Sequence, residues 1–132
     1  MAFTHDLELL EFVDAAVVDH DKARRLLGCS PDLLNRRNNL EETPLHFLSV
    51  ENYAAGVAFL CQCGAEADTC DFTGATPLMH AATLGHDDVV KLLLAHGANP
   101  NAVDQNGDSV LTHARGSESR TTIELLIQAG AK

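Results

Sequence analysis

Three of the four cysteines crowd into one stretch, Cys61-x-Cys63 and then Cys70. Thiols so placed raise the question of zinc, which takes four ligands and favours a Cys-x-x-Cys pair. This pair is one residue too close and has no evident fourth ligand, so neither a metal nor any other cofactor is expected. His80 and His113 stand 33 residues apart. A short ladder of rings with a structural role is expected of them, rather than a pH-sensing role. The acidic pairs Glu41-Glu42 and Asp87-Asp88 are adjacent in sequence, and adjacent residues on a helix do not face each other. They read as solvated charge and helix-start charge. The chain has no Gly-x-Ser-x-Gly elbow and no phosphate-cradling glycine loop. No catalytic function is expected.

The elements that would carry these side chains recur at a fixed step. Thr43-Pro44-Leu45-His46 returns 33 residues on as Thr76-Pro77-Leu78-Met79, and again as Ser109-Val110-Leu111-Thr112. Gly64, Gly97 and Gly130 keep the step, as do Leu27, Leu60, Leu93 and Leu126. Asp71 pairs with Asp104, Gly74 with Gly107, and Asn38 stands where Asp71 stands one copy later. Such a period marks a repeat array and makes binding a likelier function than chemistry.

Physical chemistry gives each copy its local form. In Thr76-Pro77 the hydroxyl can cap a helix start, and proline suits the first helical position. Thr43-Pro44 should do the same. Leu78, Ala81 and Ala82 give a short helix with a small apolar face, and Gly85 can interrupt it. Asp87-Asp88 put negative charge at the next helix start, where the dipole favours it. Val89, Val90, Leu92, Leu93 and Leu94 supply a buried stripe, and Gly97 fits the left-handed residue after a helix. The run from Asn99 to Gly107 is rich in turn formers, with Asn106-Gly107 a hairpin signal. Each unit is expected to be helix, tight turn, helix, then a hairpin-like loop.

The pattern is similar to the ankyrin repeat, a 33-residue unit with a Thr-Pro-Leu-His-x-Ala signature. Residues 71–103 carry the fullest copy. The resemblance covers essentially the whole chain and implies an all-α ankyrin-repeat solenoid forming a single domain over 1–132. Its units are expected near 5–37, 38–70, 71–103 and 104–132. There are departures: the first unit lacks Thr-Pro, Pro31 replaces the glycine after its second helix, Met79 and Thr112 replace the signature histidine, and Val110 replaces proline. His46 keeps the signature position, where the resemblance implies that its ring bonds to the turn backbone. The outer units are expected to be polar caps. Thr122, standing where Val89 stands, is expected on the outer face of the last one. A complete four-unit array is expected, with an excised domain as the alternative.

Composition sets further bounds. Hydrophobic residues make up 45% of the chain, enough for a core, and aromatics only 5%, as small-residue helix stacking would have it. No apolar run reaches the length of a membrane span. Met1 to His5 lacks the basic start of a secretory signal. Cysteines within a well-formed helical core suggest reduced thiols and a cytoplasmic setting. The net charge of −10 leaves no basic stripe. Binding to nucleic acid or to an anionic membrane is therefore not expected, and a basic protein surface would be drawn in faster.

In proteins with this resemblance the contact surface is concave, formed by loop tips and the exposed sides of first helices. Carried over by position, that implies Asn39, Leu40, Glu42, Val50 and Glu51 in the second unit. The third unit supplies Phe72, Thr73, Ala75, Thr83 and Leu84. The fourth supplies Gln105, Asn106, Asp108, Gly116 and Ser117. Leu40 and Phe72 are large apolar residues at tips where water exposure is expected, the mark of a binding anchor. Tyr53, at an interhelix turn, is expected to serve packing. Cys61 is expected in the core and Cys63 nearer the surface. The expected function is a protein-protein interaction module, monomeric on its own. A metal- or thiol-dependent regulator using the Cys and His residues, or a structural subunit of a complex, is the alternative.

Overall fold

A computed structural model of the chain describes residues 6–132. The expectations for Met1–His5, the absent secretory start and the beginning of the first unit, lie outside the described residues. Eight α-helices are present among the described residues: α1 (Leu7–Val18), α2 (His20–Cys29), α3 (Pro44–Val50), α4 (Ala54–Gln62), α5 (Pro77–Leu84), α6 (Asp87–Ala95), α7 (Val110–Gly116) and α8 (Arg120–Gln128). They form pairs in chain order. The first helices α3, α5 and α7 pack side by side, as do the second helices α4, α6 and α8. The all-helical repeat solenoid read from the sequence is what the chain forms.

Local chemistry places the helix ends as expected. Thr43, Thr76 and Ser109 each accept a bond at the start of a first helix, from the N–H of His46, Met79 and Thr112 respectively. Pro44 and Pro77 sit at the first helical positions, where no N–H partner is needed. Gly64, Gly97 and Gly130 close the second helices with φ of 92°, 96° and 100°, the left-handed conformation that suits glycine. After α2 the glycine is absent, and the chain instead winds through a 3-10 turn over Pro31–Asn35.

The loops repeat too. Asn38, Asp71 and Asp104 each fold a side-chain oxygen over their own turn. Asp71 Oδ1 accepts from the N–H of Thr73 (2.9 Å) and Ala75 (3.1 Å). Asp104 Oδ1 does so from Asn106 and Asp108, and Asn38 Oδ1 from Leu40 and Glu42. Adjacent tips are joined by backbone bonds, Phe72 N–H to Leu40 O (3.2 Å) and Gln105 N–H to Thr73 O (3.1 Å). A Cβ on Gly74 would lie 2.8 Å from the Gln105 nitrogen, so this glycine is required by its neighbour as well as by its φ of 82°. The last hairpin carries one antiparallel bridge, Val103 to Ser109, and its positive φ falls on Gly107, not on Asn106.

The two ends differ from the middle. Arg36 gathers Glu8 (2.7 Å), Asp32 (2.7 Å) and Asp6 (3.3 Å), and these acids hold its guanidinium pKa above the ordinary value. The first unit is thereby tied to its own loop. At the other end the expectation for Thr122 fails. It is fully buried, and its hydroxyl donates to the Asp87 carboxylate at the start of α6. The position faces the preceding unit, so the Val-to-Thr exchange gives the Asp87 carboxylate a hydroxyl donor across the joint and does not mark an outer face.

The first unit also leans differently. α1 packs on α2 and α4, and its contact with α3 is slight compared with the close packing of α3 on α5 and α5 on α7. Gly56 allows this, because a Cβ there would meet Leu48 Cδ1 at 2.8 Å and the Ala16 carbonyl oxygen at 3.3 Å. His20 stacks on Phe59 with ring centres 4.3 Å apart, and Arg24 lies over the same ring. The first joint therefore closes mainly through α1 on α4, while the ring stack links α2 to α4.

Candidate functional site

Loops and first helices lie on one side because side chains tie them together. His46, fully buried, accepts the Thr43 N–H at Nδ1 (3.2 Å) and so donates from Nε2 to the Ala75 oxygen (3.0 Å) in the next loop. Burial lowers its pKa and keeps the ring neutral. One position later in the register, His80 Nε2 bonds Asp71 Oδ2 at 2.8 Å, and His113 Nε2 bonds Asp104 Oδ2 at 2.9 Å. Burial alone would raise the Asp71 carboxyl, but bonds from Thr73 and His80 outweigh it and hold it below the usual range. Asp104 is likewise held down by Asp108, His113 and Asn106. The expected ladder of rings is therefore corrected. His80 and His113 each clamp their own loop, and the ring facing His80 edge-on is His46, at 5.7 Å.

This cluster invites two chemical readings, and the geometry opposes both. His46, Asp71 and His80 bring potential ligand atoms within 4.8 Å of one another. Both nitrogens of His46 are already committed to backbone, and Asp71 accepts four bonds within its own unit. Thr83 Oγ1, His113 and Asp104 stand in the order of a nucleophile, a base and an orienting acid, with Oγ1 3.2 Å from His113 Nδ1. Yet Thr83 Oγ1 donates to the Met79 oxygen at 2.8 Å. It also lies in the last turn of α5, where the neighbouring backbone N–H groups serve the helix and are not free for a developing oxyanion. The arrangement braces the third unit against the fourth. The thiols point the same way: Cys61 and Cys63 are both partly buried, and burial pushes both upward, away from the reactive thiolate.

The proposed contact residues sort by exposure. Asn39, Leu40, Phe72, Thr73, Gln105, Asn106 and Asp108 are exposed at the tips, and Glu51, Thr83 and Leu84 are exposed at first-helix ends. Phe72 is 55% exposed, Leu84 50% and Leu40 39%. Gly116 is open, while Ser117 is partly buried and donates to the Ala114 oxygen. Glu42 and Val50 are partly buried, Glu42 accepting from the Asn38 amide and Val50 O from His86. Ala75 is the exception. Its N–H and C=O both close the Asp71 turn, which draws its methyl beneath the loop, and it is buried. It is no contact residue.

The sequence reading missed the first unit. Leu7 stands one step before Leu40, and Val18 one step before Glu51; both are exposed, Val18 at 81%. The register that picked out Leu40 and Glu51 would have found them. Between α1 and α3 lies a hollow of about 640 Å³ floored by Val13 and walled by Val17, Val18, Phe47 and Tyr53, with Asp14 and Glu51 on its rim. Tyr53 is 43% exposed on this wall.

A family model described as Ankyrin repeats (3 copies) matches residues 12–104 and again 56–132. The chain is 33% identical over 115 residues to the nuclear factor NF-kappa-B p105 subunit of Gallus gallus, covering 81% of this chain and 12% of that protein. It is 35% identical over 99 residues to the B-cell lymphoma 3 protein homolog of Mus musculus, covering 74% of this chain and 22% of that protein. It is 33% identical over 98 residues to the probable E3 ubiquitin-protein ligase XBOS32 of Oryza sativa subsp. japonica, covering 73% and 20%. The chain thus spans less than a quarter of the length of each of these relatives. In proteins built from this repeat, the repeat itself is an interaction scaffold and not a catalytic centre. Paired helices in a 33-residue register, loops closed over Asn or Asp, and the matched family model agree: the chain belongs to the ankyrin repeat family.

Proposed function

We propose that this chain binds another protein through its loop tips and first helices. Phe72, Leu40 and Leu84 are the apolar anchors, and Glu42, Glu51 and Asp108 the polar rim. The observation that carries this is the exposure of three large apolar side chains, two at loop tips and one at a first-helix end, in a chain whose net charge is −10. Exposed apolar surface beside charge is the usual composition of a binding patch. The mechanism is rigid presentation: the Asp71–His80 and Asp104–His113 clamps hold the loops before a partner arrives, so little ordering entropy opposes binding. The acidity favours a partner with a basic surface and disfavours nucleic acid. No helix among the described residues is long and apolar enough to cross a membrane. A cytoplasmic, monomeric protein is in keeping with this role.

Affinity capture from extract of the source organism tests the proposal, with the native chain compared against the Leu40→Ala, Phe72→Ala double variant. Both residues are exposed, so the fold should survive. Partners retained by the native chain should be lost from the variant. Identical partner sets would place the binding surface elsewhere.

A further inference from the structure

We infer that the hollow between α1 and α3 is a socket for one large apolar side chain of a peptide segment, flanked in that segment by Lys or Arg. The inference rests on the protein-binding reading and gives it a second, separate point of attachment.

The socket exists because of how the first joint closes. Gly56 lets α4 approach the Ala16 carbonyl, so that α1 packs on α4, and the His20–Phe59 stack adds a ring contact between α2 and α4. α1 therefore leans toward the second helices and stands off α3. In the later units the first helices pack closely, α3 on α5 and α5 on α7. The hollow lies within the range of small-ligand sites, a few hundred to about a thousand Å³. Its walls are mainly apolar: Val17, Val18 and the rings of Phe47 and Tyr53. Val18, 81% exposed, is a branched apolar side chain that nothing in its own unit shelters.

Charge selects the occupant. Asp14 and Glu51 are exposed on the rim, and neither carboxylate makes a hydrogen bond or ion pair among the described residues. The basic side chains of the first unit with ion pairs are paired with other acids. Lys22 already holds Glu11, Arg24 holds Asp21, and Arg36 holds three acids. At the positions equivalent to Asp14, His80 and His113 have an internal acid to bond. Asp14 makes no such bond among the described residues. Two carboxylates without a partner among the described residues, beside an apolar hollow in a chain of net charge −10, match a cationic segment with an apolar side chain between its charges.

Titration of the 15N-labelled full chain with three capped pentapeptides tests this: Gly-Lys-Phe-Lys-Gly, Gly-Glu-Phe-Glu-Gly and Gly-Lys-Ala-Lys-Gly. The first should move the amides of residues 14–18 and 51–53, with a Kd about tenfold or more below that of either other peptide. The Asp14→Lys, Glu51→Lys double variant should lose that preference while keeping a native spectrum, since both side chains are exposed and neither carboxylate has a partner among the described residues. Val18→Asp, which places an acid where the second unit has Glu51, should weaken the lysine-phenylalanine peptide through the wall alone. The inference is overturned if the shifts fall elsewhere or do not occur, if the glutamate peptide binds equally, or if charge inversion changes nothing. It is also overturned if these amides broaden with protein concentration and no peptide competes, which would make the hollow a contact between copies. The two proposals fail separately. A captured partner that needs Phe72 and Leu40 but tolerates Asp14→Lys, Glu51→Lys leaves the binding module standing and removes the socket. Peptide binding in the socket with no partner lost from the Leu40→Ala, Phe72→Ala variant does the reverse.

Discussion

Single side chains in this protein are best understood through their equivalents one step away. Ser49 is fully buried, and its hydroxyl has no hydrogen-bond partner among the described residues. The register puts Ala16 on one side of it and Ala82 on the other, both buried in the same small-residue packing. A buried hydroxyl left unsatisfied costs roughly 1–3 kcal/mol. Ser49→Ala should therefore raise stability by about 1 kcal/mol, seen as a higher urea midpoint with an unchanged slope. A lower midpoint would mean that the hydroxyl is satisfied in solution. The same comparison explains His46. Its equivalents are Met79 and Thr112, so three units solve one problem differently: a ring bonding backward to Thr43 and forward to the next loop, a thioether filling the core, and a hydroxyl paired with Ser109. The capping residues were legible in the sequence because a cap reaches only three residues. The burial of Ala75 was not, because it follows from where both its backbone groups bond.

At the scale of elements, two turn positions go left-handed in the second, third and fourth units, and not every one of them has the residue for it. Gly74 and Gly107 take φ of 82° and 80°, but in the second unit that place is held by Glu41 at 60°. Gly85 closes the third unit's first helix at 68°, while Asn52 and Glu118 do so at 60° and 59°. A left-handed conformation costs an ordinary L-residue roughly 1–2 kcal/mol, and asparagine is among the few that tolerate it. Glycine returns part of that gain through its freer unfolded chain. Glu41→Gly and Glu118→Gly should each stabilise by about 0.5–1 kcal/mol, and Asn52→Gly should be close to neutral. Thermal melts of the three variants decide it: equal responses at glutamate and asparagine would show that strain is not the cause. Helix and turn elements were readable because their signals, Thr-Pro starts and terminal glycines, are local. The His80–Asp71 and His113–Asp104 clamps were hidden, since they join residues nine apart across a loop whose curl the sequence does not state.

For the whole molecule, what matters is which neighbour each unit leans on, and here periodicity misleads. A repeat in sequence implies equal joints, yet the first joint differs from the others. Thr122 was read as an outer residue for the same reason: the register tells which face of a helix recurs, not which unit it meets. In arrays of this kind, stability is close to a sum of unit terms and nearest-neighbour terms, so one joint can be loosened while the rest hold. Gly56 is the residue on which the first joint turns; its equivalents are Val89 and Thr122. In Gly56→Val the new Cβ would press on Leu48 at 2.8 Å, whose side chain can shift, and on the Ala16 carbonyl at 3.3 Å, which is backbone and must move with α1. Overpacking of this sort costs roughly 1–3 kcal/mol. That cost should fall on the first joint, because α5 to α8 make no use of it. Amide hydrogen exchange should then speed up in α1 and α2 by about tenfold or more, with α5 and α6 little changed. The socket between α1 and α3 should change with it, since the lean that opens it depends on the same contact. Equal loss of protection through all eight helices would instead show one cooperative block, with no separately hinged first unit to hold a socket open.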